Sequence, residues 1–255
     1  MKTRIPFLSY LLVTLFFITS GCKKVIDFID RPGDCCRIEK ISYEPIDSWS
    51  PDKLEVVFTY NKYGDPLSAV HSSDVSGVVN HFFKYDKLHR LTGYMYTYGK
   101  PPGFLSWEKY TYTNDPRVII DSLFSYGDGG WPGDSPTDYF TVDVFKIILD
   151  NRGRIVKWWD IDFTYDAQGN LEYPGETYTY DNKVNIRRTS RTWMFIERDF
   201  SINNVKQSLG SLIYNKARLP QHLYDAHTPW AFLQLEYNNA YITYSCDDAA
   251  DAQGK

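Results

Sequence analysis

Two carboxylate side chains, Asp160 and Asp162, lie two residues apart beside Trp158 and Trp159. Residues i and i+2 of a strand point to the same face, so both carboxylates share a face if this segment is extended. Hydrolysis of a glycosidic bond needs two carboxylates about 5 to 10 Å apart, which such a pair could provide. A same-face acidic pair is also typical of a solvated strand, so glycoside hydrolysis is a weaker hypothesis.

The sequence contains none of the common local motifs of catalytic, nucleotide-binding or zinc sites. The five histidines form no HExxH pair and no short-range zinc site. There is no Gly-x-Ser-x-Gly elbow, no P-loop and no Rossmann glycine fingerprint. We therefore expect no catalytic residue of a recognised motif, no metal and no cofactor.

A loop between Gly127 and Asp138 is rich in glycine, proline and aspartate and is predicted to lie on the surface. It does not fit a calcium loop, because Gly130 and Pro132 stand where ligands should follow Asp128. Strand alternation cannot bury Trp131 in such a loop. Because flat aromatic side chains bind sugar rings and extended peptides, Trp131 is the predicted ligand-binding residue.

Aromatic residues dominate the composition, with 21 Tyr, 15 Phe and 7 Trp against nine Ala. Aromatic and β-branched side chains favour strands, whereas a helical domain of this size would be built from Ala, Leu, Glu and Lys. The 43% hydrophobic and 24% charged residues are typical of a globular protein rather than a disordered one. The predicted fold class is all-β.

One nine-residue unit recurs along the chain, and its clearest copy is Phe163–Leu171, Phe-Thr-Tyr-Asp-Ala-Gln-Gly-Asn-Leu. Its first and third residues point to one face of a strand. Asp166 then ends the strand by accepting a hydrogen bond from the backbone N–H two residues on, and Gly169 supplies a positive φ. Each unit is therefore half of a β-hairpin.

Eight copies of this unit begin at Phe58, Phe83, Tyr110, Ile147, Phe163, Tyr178, Leu212 and Leu235. Where the glycine is replaced by His89, Pro116 or Val184, we expect a differently built turn. The sequence predicts an antiparallel meander of about eight degenerate hairpin units that forms a curved sheet or an open barrel. At most one short helix is expected, near Met194 to Asp199.

The aromatic-x-Tyr-Asp-x-x-Gly-Asn-Leu unit resembles the YD repeats of rearrangement-hotspot and teneurin proteins, in which many hairpins form a spiralling β-shell. The chain resembles more closely short lipoproteins of Bacteroidetes-type bacteria, whose function is unassigned. The resemblance covers roughly residues 36–246 and implies hairpin architecture. Eight degenerate copies are too few to enclose a cargo, so the encapsulating role of the large shells is not implied.

The N-terminus has the form of a secretory signal over residues 1–21, with a basic start, an apolar run and small residues. Gly21-Cys22 resembles the lipobox of bacterial lipoproteins, in which the cysteine is lipidated and becomes the mature N-terminus. Thr19 departs from the aliphatic residue usual at its position, and an ordinary cleaved signal peptide is the alternative. The resemblance implies an acyl anchor at Cys22 that attaches the protein to the membrane.

The rest of the chain divides into a tether, one domain and a tail. We expect a lipidated N-terminus and tether at 22–34, a single hairpin-repeat domain at 35–246 and a disordered tail at 247–255. Disulfides form in an exported protein, so Cys36 is predicted to pair with Cys246, with Cys35 as the alternative partner.

The balance of 28 basic and 32 acidic residues gives a net charge of −4. Removal of Lys2 and Arg4 with the signal changes it to 26 − 32 = −6. Nucleic acid is therefore not an expected partner. We expect a non-catalytic envelope lipoprotein at the outer membrane, on the periplasmic rather than the surface face. It would bind a glycan, a peptide or another envelope protein; a structural or assembly component is the alternative.

Overall fold

A computed structural model describes ten stretches of the chain, and all structural statements below refer to them. They are residues 36–45, 53–72, 78–98, 103–129, 131, 136–172, 177–206, 212–226, 232–235 and 237–246. The strands are β1 (Ile38–Pro45), β2 (Leu54–Tyr60), β3 (Pro66–His71), β4 (Asn80–Tyr85), β5 (Leu91–Thr97), β6 (Gly103–Tyr112), β7 (Val118–Gly129), β8 (Pro136–Thr137), β9 (Thr141–Leu149), β10 (Ile155–Trp158), β11 (Ile161–Asp162), β12 (Thr164–Tyr165), β13 (Leu171–Glu172), β14 (Leu212–Tyr214), β15 (Pro220–Ala226) and β16 (Tyr237–Tyr244). The helical elements are α1 (Arg191–Ile196) and two 3-10 turns, Ile186–Thr189 and Phe232–Gln234.

Fourteen strands form one antiparallel sheet in the order β11-β10-β9-β7-β6-β5-β4-β3-β2-β1-β16-β15-β14, with β8 beside β7. The strands β12 and β13 form a separate pair. From β1 the chain advances strand by strand to β11, and then returns to add β14, β15 and β16 on the other side of β1. The sheet does not close, and the predicted all-β meander with one short helix is confirmed.

Five hairpin turns share one construction, which the repeat unit predicts. In the β9–β10 turn, Asp150 Oδ1 accepts hydrogen bonds from the backbone N–H groups of Arg152 (2.8 Å) and Arg154 (2.9 Å). The backbone N–H of Gly153 donates to the Asp150 carbonyl (3.0 Å), and Gly153 has a φ of 74°. The corresponding turns begin at Asn61, Asp86, Asp166 and Asn215.

The prediction that His89 requires a different turn is wrong. His89 takes a φ of 60° in the same construction as the glycines, and Arg218 takes 66°. The prediction of a different turn is correct for the copies with Pro116 and Val184. The β6–β7 turn is closed by the Val118 N–H and the Asp115 carbonyl (3.0 Å). The copy with Val184 forms no hairpin within the described chain.

Two of the regular turns, those that begin at Asp86 and Asp150, are also tied to a later strand by an arginine and a tyrosine. Arg90 pairs with Asp86 across 2.6 Å, and its guanidinium lies 4.1 Å from the centre of the Tyr112 ring. The Tyr112 hydroxyl donates to the Leu91 carbonyl at 3.0 Å. The same arrangement recurs with Asp150, Arg154, Tyr165 and Ile155. The tyrosine of the repeat therefore joins successive hairpins.

Residues 177–206, here called the return segment, cover one face of the sheet. Its Trp193 is fully buried and its ring lies 5.7 Å from Phe58, 5.2 Å from Phe83 and 5.6 Å from Phe232. The helix α1 begins after Ser190, whose hydroxyl accepts the Thr192 N–H. One short helix was predicted here, but it begins three residues earlier than expected because Ser190 caps it.

The opposite face carries a smaller apolar cluster of Met95, Phe104 and Trp107. Trp107 and Glu108 are adjacent in β6, so their side chains point to opposite faces. Trp131, from the insertion at 127–138 that is here called the loop segment, covers this cluster, and its ring lies 5.1 Å from that of Trp107. The two insertions thus lie on the two faces of one sheet.

The ends of the described domain are joined by a disulfide between Cys36 and Cys246, whose Cα atoms are 4.9 Å apart. This bond lies beside the β1–β16 pairing. The other cysteines of the predictions, Cys22 and Cys35, lie outside the described residues, as do the signal, the tether and the tail. Within the described part of the chain, no helix combines the length and apolar character needed to cross a membrane.

Candidate functional site

A groove of about 620 Å³ runs along the end of the sheet where the hairpin turns lie. One wall consists of residues 63–65, 88–91 and 112–116, and the other consists of 189–192 with Phe195. Ligand sites in proteins commonly measure about 300 to 1,000 Å³. We call this cavity the turn groove.

The turn groove is long because it crosses many strands. It extends from the β2–β3 turn to Leu149 at the end of β9, which spans seven neighbouring strands. Six inter-strand spacings of about 4.8 Å give a length of about 29 Å. A ligand of several linked units fits such a groove better than a compact one.

Aromatic rings line the turn groove at two places. Tyr63 is 58% exposed and lies 4.1 Å from the His89 ring. Tyr112 lies deeper, and burial raises the pKa of its hydroxyl to about 12. Tyr85 joins the two walls, since its hydroxyl lies 2.8 Å from the Thr192 hydroxyl. Flat rings beside polar groups are the surfaces on which sugars and peptides stack.

Charged side chains also line the turn groove. His89 Nδ1 lies 2.8 Å from Asp65 Oδ2, in a partly exposed pair. Arg191 Nη2 donates to the Gly153 carbonyl at 3.1 Å. Arg37 lies over the Tyr60 ring at 5.7 Å. The groove can therefore donate several hydrogen bonds to an acceptor-rich ligand.

A smaller cavity of about 160 Å³ lies beside the return segment and is lined by Trp158, Tyr180, Arg187 and Glu197, among others. Arg187 pairs with Glu197 at 2.5 Å and with Asp199 at 3.5 Å. Burial raises the pKa of Glu197, against the opposing effect of Arg187. These charges pair with one another, which suits them to hold the return segment in place.

A buried acid pair lies between the return segment and the sheet. Tyr110 donates to Glu108 Oε2 at 2.6 Å, and Trp158 Nε1 donates to Asp121 Oδ2 at 3.2 Å. Burial, with the negative charge of Glu108, raises the pKa of Asp121 to about 8. Arg198 Nη2 lies 3.5 Å from Glu108 Oε2 and covers the Trp158 ring at 3.7 Å.

Perturbed acidity of this kind is one mark of a hydrolase. Glu108 is only 7% exposed and Asp121 is fully buried. Neither carboxylate lines the turn groove or the smaller cavity. A molecule bound in either cavity would therefore not touch them.

The acidic pair that the sequence indicated lies elsewhere, between β10 and β11. Asp160 is exposed in the turn. Asp162 is 69% exposed along its side chain and accepts a hydrogen bond from Lys157 Nζ at 2.9 Å. The prediction that the two carboxylates share one strand face is wrong, because residues 159 and 160 form the turn between β10 and β11 and only Asp162 lies in a strand. Both carboxylates are solvated.

Trp131, the predicted ligand-binding residue, is half-buried rather than free on the loop. Its ring packs against Trp107 and lies 3.4 Å from the position that a Cβ on Gly93 would take. It is not part of the turn groove. A ligand role for Trp131 stays a prediction.

The histidines are mostly built into the sheet. His71 Nε2 lies 2.9 Å from the Tyr43 hydroxyl, and His81 Nδ1 lies 2.9 Å from the Tyr94 hydroxyl. Burial lowers the pKa of His81 to about 3, so it is neutral. The described residues contain no group of three or more His, Cys, Asp or Glu side chains able to hold a metal ion.

Sequence reasoning missed the turn groove because its residues belong to the turns. His89 and Pro116 were interpreted only as features that shape hairpins. One signal was available. In a meander, alternate turns lie at the same end of the sheet, so the chemistry of the repeat turns had to gather there.

Comparisons with known proteins do not assign this chain to a family. No family model matches it, and no curated protein matches it.

Proposed function

We propose that this protein is a non-catalytic, lipid-anchored envelope protein that binds a glycan in the turn groove. The observation that carries the proposal is the groove itself, about 620 Å³ in volume and lined by aromatic and charged side chains. The proposed anchor rests on Cys22 and the residues before it. The proposed location is the outer membrane, on its periplasmic face.

A glycan is favoured over a peptide by the lining. The exposed Tyr63 ring offers a stacking face for a sugar, and arginine, histidine and aspartate side chains suit the many hydroxyl groups of an oligosaccharide. The groove is walled by turns and by the N-terminal part of α1 rather than by an open strand edge. Edge-strand addition, a common way to bind an extended peptide, is therefore not available in the groove.

The test is a glycan-array screen of the soluble chain from residue 23, which lacks the lipidated cysteine, followed by titration of any hit. Tyr63→Ala is the groove variant, since Tyr63 is 58% exposed and its loss should leave the fold intact. Tyr98→Ala is the matched control, since Tyr98 is 59% exposed and lies outside the groove. We expect at least about tenfold weaker binding for Tyr63→Ala alone, equivalent to 1.4 kcal/mol. Equal affinity in both variants, or no hit on the array, would contradict the proposal.

A structural or assembly role is the second candidate, and one edge of the sheet favours it. The strand β9 pairs with β7 along its length but with β10 only at Ile147, Ile148 and Leu149. Residues 141–146 therefore have no strand on their outer side within the described chain. Val144 on this edge is 64% exposed. Such an edge can accept a strand from another chain.

Light scattering and crosslinking of the purified protein test this role. The Leu149 N–H points to β7, so by alternation the Val144 N–H points outward. Val144→Pro should remove that donor without loss of a β7 hydrogen bond, and should abolish any self-association. A wild-type protein that stays monomeric and recovers no envelope partner on crosslinking would exclude the role.

A further inference from the structure

The turn groove carries a different charge from the rest of the molecule. Its lining contains the arginines Arg37, Arg90 and Arg191 and the aspartates Asp65 and Asp115, which gives 3 − 2 = +1 with histidine neutral. The whole chain carries a net charge of −4. A positive groove on an acidic protein favours an anionic ligand.

Two of these arginines differ from the arginines that hold the turns. Arg90 and Arg154 each pair with the aspartate of their own turn, at 2.6 and 2.8 Å. Arg37 and Arg191 form no ion pair with any carboxylate of the described chain. Arg191 Nη2 donates to the Gly153 carbonyl at 3.1 Å and Arg37 lies over the Tyr60 ring, so each guanidinium keeps N–H donors that no carboxylate of the described chain occupies.

Both of these guanidinium groups are placed over a turn glycine. A Cβ on Gly64 would lie 2.6 Å from Arg37 Nη2, and a Cβ on Gly153 would lie 2.6 Å from Arg191 Nη2. Each guanidinium therefore lies close to the backbone of a turn at the groove. Its planar fork matches the two oxygens of a carboxylate.

We propose that the turn groove binds an anionic oligosaccharide, whose acidic groups are held by Arg37 and Arg191. This inference rests on the proposed glycan function and names the class of its ligand. Carboxylate, sulfate and phosphate groups share the required chemistry, since each presents two or more oxygens to the fork of a guanidinium. Tyr63, the exposed tyrosine of the groove, stacks on a sugar ring.

The test compares sugars that differ only in charge. The full-length protein in detergent is titrated by calorimetry with oligogalacturonate, with its methyl ester and with a sulfated oligosaccharide. We expect the acid to bind at least about tenfold more tightly than the ester, and its affinity to fall as salt is raised. Comparable binding of the sulfated sugar would support an anion site that accepts both chemistries.

Variants locate the site. Arg37→Gln and Arg191→Gln should each weaken binding of the acid about tenfold. Arg191→Lys, which keeps the charge but not the fork, should weaken it less. Arg152→Gln is the matched control, because Arg152 is exposed in the same turn as Gly153 but does not line the groove. Equal losses in Arg152→Gln and Arg191→Gln would overturn the assignment.

Different results would overturn the anionic ligand class and the proposed glycan function. Equal binding of the acid and its methyl ester would overturn the anionic class but leave a glycan site. Binding of a neutral glycan without binding of any acidic glycan would also overturn the anionic class and leave a glycan site. Absence of binding by any glycan would overturn the proposed function together with this inference.

Discussion

The two long insertions of this chain cover opposite faces of the same strands to very different extents. The return segment at 177–206 buries Trp193 completely, whereas the loop segment at 127–138 leaves Trp131 half-buried. Trp193 contacts three buried aromatic rings of the main core. Trp131 covers a cluster of three buried residues.

The return segment satisfies its buried polar groups with its own side chains. The return segment brings its own hydrogen-bonding side chains into the interior, such as Asn204 Nδ2, which donates to the Val184 carbonyl at 3.0 Å. Its buried Arg187 forms ion pairs with two carboxylates of the same segment, Glu197 and Asp199. Buried polar groups cost free energy unless they are paired. The return segment can therefore be buried against the sheet because it carries partners for its own polar groups.

Replacement of the two tryptophans is the strongest test of this comparison. We expect Trp193→Ala to lower the free energy of unfolding by about 3 to 5 kcal/mol, because it leaves a cavity in the main core. Trp131→Ala should cost only about 1 to 2 kcal/mol, because its ring is half-buried. Urea unfolding measures both. Similar losses would show that the two faces are equally important for stability.

Removal of the disulfide should act on both insertions together. The bond closes a sequence separation of 210 residues, and its loss should destabilise the fold by about 2 to 5 kcal/mol. Cys36→Ser with Cys246→Ser is the variant, and hydrogen exchange of the return segment and of β7 is the measurement. If only one face loses protection, the sheet is not a single cooperative unit.

The acid pair beneath the return segment gives a pH test. The pKa of Asp121 is raised to about 8 by burial and by Glu108, whereas an unfolded aspartate titrates near about 3.9. The folded state therefore holds a proton that the unfolded state releases, and this contribution to stability is lost as pH rises from about 4 to about 8.

Asp121→Asn should remove this slope, since an amide can accept the Trp158 hydrogen bond and donate to Glu108. Its stability relative to wild type should therefore rise between about pH 5 and pH 8. The buried histidines titrate in both proteins, so their contribution cancels when the free energy of unfolding of the wild type is subtracted from that of the variant. Parallel pH profiles of the two proteins would refute the assignment.

Replacement of one glycine beside each insertion should give the smallest difference in stability. Gly169 has a φ of 87°, and a Cβ there would lie 2.9 Å from Ile202 Cδ1 of the return segment. Gly169→Ala should therefore cost about 1 to 2 kcal/mol. Gly93 has no such φ, and a Cβ there would meet Trp131 at 3.4 Å, so Gly93→Ala should stay within about 0.5 kcal/mol. Thermal unfolding of both variants measures the difference, and a larger loss at Gly93 would mean that Trp131 is rigidly seated.

The repeat unit predicted the local structure well because its signals are local. Asp150 and Gly153 form the predicted hydrogen bonds and backbone conformation within five residues of chain. His89 was misjudged because a non-glycine residue can take a positive φ where the turn and the Asp65 pair support it. The last copy, at Leu235, forms no turn, since Asn238, the residue that should begin the turn, lies within β16.

The sequence by itself determined the strands, the turns and the position of the two insertions, because alternation, turn chemistry and spacing act over a few residues. Only the tertiary structure decided which face each insertion covers, which turns gather into the groove and which arginines stay without a carboxylate. Those outcomes depend on residues far apart in the chain, as Arg191 and Gly153 are. No local pattern encodes such a distance, because it results from the packing of the whole sheet.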